Sequence, residues 1–395
     1  MPLKGIIMQY IPNTPEGARD RLFGECQERR RVQSALTHLF RQRGYSEMIT
    51  PEEEFYDLFT MTGSALPQEE MVKIIDRSGK IVVLRPDCTT PIARVAATRL
   101  KDMVFPGRFY YNETVYRSSA AHRGQRSEIP QCGIELIGAK GVKADLEVIA
   151  CACDALRACG LEQFYVELGH ADIFPAFARR LSMTGEQTET MRSLVEGKNF
   201  AALSDFLDRF DRHSAAAVAR LPYLFGGAEV LDEAEALAGE LPALHHLREL
   251  YSGLCQAGYG EYIRFDLGMV HHIDYYTGPI FRGYAQGAGD AVLSGGRYDQ
   301  LCASFGRPAQ AIGFAVHVDA VADCLPTPAP AKVEQVIHYP VSRMGEAVAL
   351  LDSKAPGTCQ LSPCGDLEST LNMAREMGIP TVVILDENGV REVEV

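Results

Sequence analysis

A carboxamide and a carboxylate stand at alternate positions of one apolar segment, and this spacing could build a ligand site. In the run Gln-Cys-Gly-Ile-Glu at 131–135, alternation along a strand places Gln131 and Glu135 on the same face of a sheet. Arg117 stands at the end of the preceding extended segment, before a polar loop. An amide, an acid and a guanidinium on one face suit a small zwitterionic ligand. The same residues would also occur on a solvated face with a surface ion pair, and spacing alone leaves both interpretations open.

Histidines and tyrosines cluster in a second segment, at 269–281. The adjacent His271 and His272 would point to opposite faces of a strand, and no further histidine or cysteine stands at ligand spacing, so no metal site is predicted. Tyr275 and Tyr276 follow them. Paired tyrosines commonly pack in a core, but their hydroxyls could also bind a polar ligand.

Two glycines precede Arg297 and Tyr298 in a third segment, Gly-Gly-Arg-Tyr-Asp at 295–299. Glycines within a strand allow a ligand or another backbone to approach closely, although a β-bulge explains them equally well. The chain contains no G-x-x-x-x-G-K-[ST], no G-x-G-x-x-G after a strand and no G-x-S-x-G. The sequence therefore supports neither a P-loop, nor a Rossmann site, nor a serine nucleophile elbow.

The elements that would position these residues are both helical and extended. A long amphipathic helix is predicted over 17–45 and a shorter one over 92–100. Strands over 107–118 and 128–138 are expected to pair antiparallel across a long polar loop. Further strands are predicted over 163–168, 261–267, 276–285, 290–298 and 311–318.

Shifts in pattern divide the chain into three parts. Residues 1–324 form the predicted main domain, with an insertion of almost purely helical pattern over about 172–258. The proline-rich segment 325–332 is a predicted linker. Residues 333–395 alternate apolar runs with helix patterns, which predicts a small α/β module, so the whole chain is assigned to the α+β class.

Charge and hydropathy argue against two classes of partner. The 395 residues carry 39 Lys and Arg against 52 Asp and Glu, a formal charge of −13 that disfavours phosphate backbones and acidic lipid surfaces. The apolar runs are far shorter than the about 18 residues of a membrane helix, and the first residues lack the apolar core of a secretory signal. We expect a cytoplasmic protein that binds neither nucleic acid nor membrane.

Five motifs occur in the order and spacing of histidyl-tRNA synthetases, and the chain resembles that family over roughly 14–322. The resemblance implies a class II synthetase-like fold, an antiparallel sheet flanked by helices, that dimerises through the region around 45–55. The motifs are Arg-Pro-Asp-Cys-Thr at 85–89, the segment 117–135, Asp-Tyr-Tyr-Thr-Gly at 274–278, Gly-Gly-Arg-Tyr-Asp at 295–299 and Ala-Ile-Gly-Phe-Ala at 311–315.

The resemblance also implies a role for individual residues in binding histidine. By position, Asp87, Thr89 and Gln131 would face the α-ammonium group, whereas Glu135 and Tyr276 would face the imidazole. This agrees with the chemistry, because an ammonium needs acceptors and an imidazole needs partners for two nitrogens. The other residues assigned to this histidine site are Arg117, His271, Tyr275 and Tyr298.

Three departures from the synthetase pattern concern the part of the site that would handle ATP. By the resemblance, His271 replaces the catalytic arginine, Ala320 replaces the ATP-binding arginine of motif 3, and Ser119 replaces an acidic residue that holds the adenine end. Loss of one preorganised donor typically costs about 10²–10³ in rate. We therefore expect a site that binds an amino acid without activating it, with no catalytic residue, cofactor or metal.

A histidyl-tRNA synthetase paralogue without adenylation residues resembles the regulatory subunits of ATP phosphoribosyltransferase, the first enzyme of histidine biosynthesis. This resemblance implies a homodimer within a larger complex with a short-form catalytic subunit, which the chain would activate and place under feedback control by L-histidine. Two alternatives stay open: an active synthetase that has rewired its cations through His271, Arg282 or Arg297, and another non-charging paralogue that acts on a different amino acid.

Overall fold

The computed structural model describes residues 14–61, 67–118, 126–270, 276–329 and 332–395. The chain divides after Thr327 into two units, and the predicted linker at 325–332 spans this division. Within the described ranges, helices are too short or too polar to cross a membrane.

The first unit combines helices with strands of very different lengths. Its helices are α1 (Gly24–Gln42), α2 (Tyr56–Thr60), α3 (Thr89–Thr98), α4 (Val142–Ala158), α5 (Ile173–Ala178), α6 (Gly185–Glu196), α7 (Phe200–Leu207), α8 (Arg212–Arg220), α9 (Glu229–Ala238), α10 (Pro242–Gln256) and α11 (Val318–Asp323). Its strands are β1 (Ser46–Glu47), β2 (Glu53–Phe55), β3 (Lys73–Ile75), β4 (Ile81–Leu84), β5 (Gly107–Tyr116), β6 (Glu128–Ile137), β7 (Phe164–His170), β8 (Phe225–Gly226), β9 (Ile263–Asp266), β10 (Pro279–Ala285), β11 (Leu293–Arg297) and β12 (Ala311–His317).

Nine of the described strands form one sheet, in the order β1-β5-β6-β12-β11-β10-β7-β9-β8. The expected antiparallel pairing runs from β5 across to β7. Parallel pairs lie outside this region, β1 with β5 and β7 with β9. Parallel neighbours require a crossover connection, and the helices of the insertion supply it between β7 and β9. The α+β fold with a sheet flanked by helices is confirmed, and its outer strands make the sheet mixed.

The two faces of the sheet have different roles. Alternation along β6 sends Cys132 and Ile134 into the main core, which also contains Leu36 of α1 and Val148 of α4. A smaller cluster on the other face includes Ile92 of α3. The face that carries the polar residues of β6 therefore has room beside α3 for a site.

Two local features of this unit differ from the sequence prediction. The first helix was expected from residue 17 but begins at Gly24, because Phe23 adopts a left-handed φ of 48° that cannot continue a helix. The insertion was expected to contain helices without a strand, yet it includes β8. A strand of two residues is too short to show alternation in the sequence.

The second unit is a small α/β module. Its elements are β13 (Gln335–His338), α12 (Met344–Asp352), β14 (Cys359–Leu361), α13 (Leu367–Met377), β15 (Thr381–Asp386) and β16 (Gly389–Glu394). The sheet order is β14-β13-β15-β16, with β13 parallel to both of its neighbours and β16 antiparallel to β15. Val336 and Val382 pack against Ala374 in its core.

Candidate functional site

A cavity of about 110 Å³ opens on the face of the sheet that carries Gln131 and Glu135. It is smaller than the about 300–1,000 Å³ of sites for drug-sized ligands, so it suits a ligand the size of one amino acid. His271 and Tyr275 lie outside the described residues. The other seven residues proposed from the sequence all line the cavity: Asp87, Thr89, Arg117, Gln131, Glu135, Tyr276 and Tyr298.

Small and apolar residues that we did not assign to the site complete its wall. In the sequence, the glycine pair at 295–296 could have indicated this part of the wall, because glycines allow a ligand or another side chain to approach the backbone closely. A Cβ on Gly296 would lie 2.7 Å from Cε1 of Tyr276, so this glycine makes room for the tyrosine ring. The further lining residues are Cys88, Tyr111, Ser294, Gly295, Gly296, Gly313, Phe314 and Ala315.

Glu135 is buried, and each of its carboxylate oxygens accepts a hydrogen bond from a hydroxyl. Oγ1 of Thr89 donates to Oε1 at 2.7 Å, and the hydroxyl of Tyr298 donates to Oε2 at 2.5 Å. Burial raises the pKa of Glu135 to about 7, and nearby Asp87 adds to the rise, whereas the two hydroxyls oppose it. A carboxyl that titrates near neutrality is suited to share a hydrogen bond with an imidazole.

Asp87 occupies the loop that leads into α3 and is fixed there by the helix. Its Oδ1 accepts from the backbone N–H of Thr90 at 2.7 Å, and its Oδ2 accepts from the Thr90 hydroxyl at 3.2 Å. Burial raises the pKa of Asp87, and the positive charge of Arg117 opposes this rise. The loop itself is held by a buried ion pair, in which Nη1 of Arg85 lies 2.9 Å from Oε1 of Glu113.

The described lining residues offer binding groups rather than an ionised nucleophile. Burial raises the pKa of the Cys88 thiol and of the Tyr276 phenol, so both stay protonated at neutral pH. In the described part of the chain, no group of three or more His, Cys, Asp or Glu side chains is placed to hold a metal ion. The arrangement can bind an ammonium, a carboxylate and a polar ring at once.

The helix that carries Ala320 differs from a triphosphate site in its charge. Ala320 lies half-buried on α11, against the main core. Asp319 and Asp323 on the same helix form ion pairs with arginines. Their arginine partners within 3.1 Å are Arg21, Arg29 and Arg126. These guanidinium groups are thus engaged within the protein, and Ser119, the third departure from the synthetase pattern, lies outside the described residues.

This fold is that of a class II histidyl-tRNA synthetase-like protein. A family model described as histidyl-tRNA synthetase matches residues 17–321 of the chain. Individual relatives show to which narrower family the chain belongs.

The ATP phosphoribosyltransferase regulatory subunit of Clostridium kluyveri is 44% identical to the chain over 326 residues, 81% of this chain and 83% of the relative. The regulatory subunit of Bacillus cereus is 38% identical over 382 residues, 93% of this chain and 90% of the relative. A crystal structure described as an ATP phosphoribosyltransferase regulatory subunit/histidyl-tRNA synthetase from Bacillus halodurans matches with a TM-score of 0.85 and 31% identity, covering 95% of this chain and 98% of that one. The chain belongs to the family of ATP phosphoribosyltransferase regulatory subunits. These names agree with the prediction of a non-catalytic subunit.

Proposed function

We propose that this chain binds L-histidine in the cavity around Glu135 and uses that binding to regulate the catalytic subunit of ATP phosphoribosyltransferase. The observation that carries the proposal is the buried carboxyl of Glu135, with hydroxyl donors on both oxygens and a pKa of about 7, in the wall of an amino-acid-sized cavity. A carboxylate can accept more hydrogen bonds than these two, and an imidazole N–H can donate one to it, whereas an apolar side chain cannot.

The ligand would span the cavity with its three polar groups on different residues. The imidazole would donate to Glu135 and share its second nitrogen with the hydroxyl of Tyr276. The ammonium would lie near Asp87 and Gln131, which supply acceptor oxygens, and the α-carboxylate would pair with Arg117. All five side chains line the same cavity, which supports this orientation.

Histidine bound in this way would act as an effector and not as a substrate. The arginines near Ala320 form ion pairs with Asp319 and Asp323, and α11 itself carries no lysine or arginine that could bind a triphosphate. A site that binds a ligand without consuming it can only shift a conformational equilibrium, by binding one state more tightly than the other. Feedback control by the end product requires this property.

The partner in this proposal is a short-form catalytic subunit, in a hetero-oligomer that contains a homodimer of this chain and acts in the cytoplasm. The names of the relatives support a catalytic partner, since each is called a regulatory subunit of ATP phosphoribosyltransferase. The net charge of −13 favours a protein partner over RNA.

Titration calorimetry with L-histidine tests the proposal, together with an assay for ATP-dependent pyrophosphate exchange. We expect a dissociation constant in the micromolar to millimolar range, loss of this binding in Glu135→Ala, and no exchange. Robust exchange would instead identify an active synthetase. If saturating histidine fails to raise the melting temperature, which any ligand of the folded state must do, the cavity serves a different amino acid.

A further inference from the structure

A buried ion-pair network outside the cavity connects its wall to α10 of the helical insertion. Asp145 on α4 is buried, and its Oδ1 accepts from Arg297 through Nε at 2.8 Å and through Nη2 at 2.5 Å. Its Oδ2 lies 3.1 Å from Nε2 of His246 on α10. Both atoms are buried, and among the described residues neither makes a hydrogen bond of normal geometry, so this contact is a close approach of an imidazole nitrogen to a carboxylate oxygen. Asp145 therefore joins the sheet to the insertion.

On the sheet, this network ends at Arg297, which lies beside two tyrosines of the cavity, Tyr276 and Tyr298. Arg297 directly precedes Tyr298, and its carbonyl accepts from the backbone N–H of Thr277 at 2.8 Å. Nη1 of Arg297 also donates to Oδ1 of Asp299 at 3.1 Å, and the backbone N–H of Asp299 donates to the Thr277 hydroxyl at 3.0 Å. Thr277 follows Tyr276 in the chain. Arg297 thus holds the backbone beside both Tyr276 and Tyr298, directly through its carbonyl and indirectly through its guanidinium and Asp299.

A second contact leads from the same histidine to the same segment. The ring of His246 packs edge-to-face on His170, with centroids 5.5 Å apart and planes at 71°. Burial lowers the pKa of His170 to about 4, so this ring is neutral at pH 7. The next residue, Ala171, donates its backbone N–H to the carbonyl of Gly278 at 2.9 Å. His246 therefore reaches the segment 276–278 through β7 as well as through Asp145.

We propose that His246 and Asp145 are positioning residues for the ligand cavity and that they couple its occupancy to the packing of α10. Without the imidazole of His246, the buried Oδ2 of Asp145 loses this polar contact at 3.1 Å, which favours a rearrangement of Asp145 and of the guanidinium that it orients. Arg297 then shifts the backbone of Tyr298 and Thr277. The proposal rests on the proposed function in taking L-histidine as the ligand, but the link from α10 to the cavity is a property of this chain alone.

The first test compares His246→Leu with His245→Leu, a matched control at the neighbouring exposed position of α10. Substitutions along such a link change coupling enough to weaken binding about 2- to 30-fold. We expect this loss of L-histidine affinity in His246→Leu and none in His245→Leu. His246→Gln, whose amide N–H can approach Asp145, should restore most of the affinity and serves in its place if the leucine variant does not fold.

A double-mutant cycle with Tyr298→Phe separates positioning from general destabilisation. If His246 acts through Arg297 and Tyr298, its substitution should cost less affinity in the Tyr298→Phe background than in the wild type. Additive losses would overturn the proposal, because a merely structural role of His246 would not depend on the Tyr298 hydroxyl.

A ligand-free measurement keeps this proposal distinct from histidine binding. In protein labelled with 3-fluorotyrosine, the fluorine resonance of Tyr298 can be assigned by its loss in Tyr298→Phe. We expect that resonance to move in His246→Leu and to stay in place in His245→Leu. A shift in protein that does not bind histidine would reject the proposed function and retain the link, whereas an unmoved resonance would overturn the link itself.

Discussion

At the scale of single residues, Glu135 should make the stability of the ligand-free chain depend on pH. Its pKa rises from 4.5 to about 7 on folding, mainly through burial, so the folded chain holds a proton that the unfolded chain releases between these values. The stabilisation is complete below pH 4.5 and is lost as the pH rises through about 7, on the order of 3 kcal/mol in total. Denaturant unfolding at pH 5 and pH 8 measures the difference in the free energy of unfolding. Glu135→Gln should remove the part of this pH dependence that Glu135 causes. If the free energy of unfolding of Glu135→Gln depends on pH as it does in the wild type, other groups cause this dependence.

The sequence identified the composition of the site better than its contacts. Alternation along one strand placed Gln131 and Glu135 on the same face, and both line the cavity. The hydrogen bond from Tyr298 to Glu135 joins residues 163 positions apart and depends on how β12 pairs with β6 on one side and with β11 on the other. Local spacing carries no information on such pairing. The assignment of individual residues to histidine, including His271 and Tyr275 outside the described ranges, stays a proposal.

At the scale of elements, the close approach of strand β11 to the Tyr276 ring can be tested with one methyl group. In Gly296→Ala the new Cβ would lie 2.7 Å from Cε1 of Tyr276 and 3.1 Å from Cγ2 of Ile280, so the ring must move. Overpacking of this kind costs about 1–3 kcal/mol of stability, and we expect weaker histidine binding as well. Calorimetry and thermal unfolding measure the two effects. Gly185→Ala, at the start of α6 with no atom within 4 Å, is the control and should change neither property much. Histidine binding at wild-type affinity in Gly296→Ala would exclude Tyr276 from the binding wall.

Elements with strong periodicity were predictable, and those without it were not. The pair β5 and β6 was expected from two long extended runs, and it forms the part of the sheet that carries Gln131 and Glu135. Strand β16 is not recognisable as an apolar run, because its exposed residues are largely charged, as suits an edge strand. The start of α1 was placed too early because the backbone conformation of Phe23 has no counterpart in the hydrophobic pattern.

At the scale of the whole molecule, composition limited the class of partner but did not identify one. A formal charge of −13 argues against RNA, and this is consistent with relatives that are named regulatory subunits of an enzyme. The surface that meets a catalytic subunit has no sequence motif, since an interface depends on residues brought together by folding. Assembly and regulation must therefore be measured on the complex.

The most direct test of this account is the ATP phosphoribosyltransferase activity of a short-form catalytic subunit co-purified with this chain, titrated with L-histidine. We predict that the complex is more active than the catalytic subunit alone and that histidine inhibits it. We also predict that Glu135→Ala assembles and activates normally but has lost the inhibition, because the group that senses the imidazole is gone. Unchanged inhibition in the Glu135→Ala complex would contradict the account and place the feedback site elsewhere.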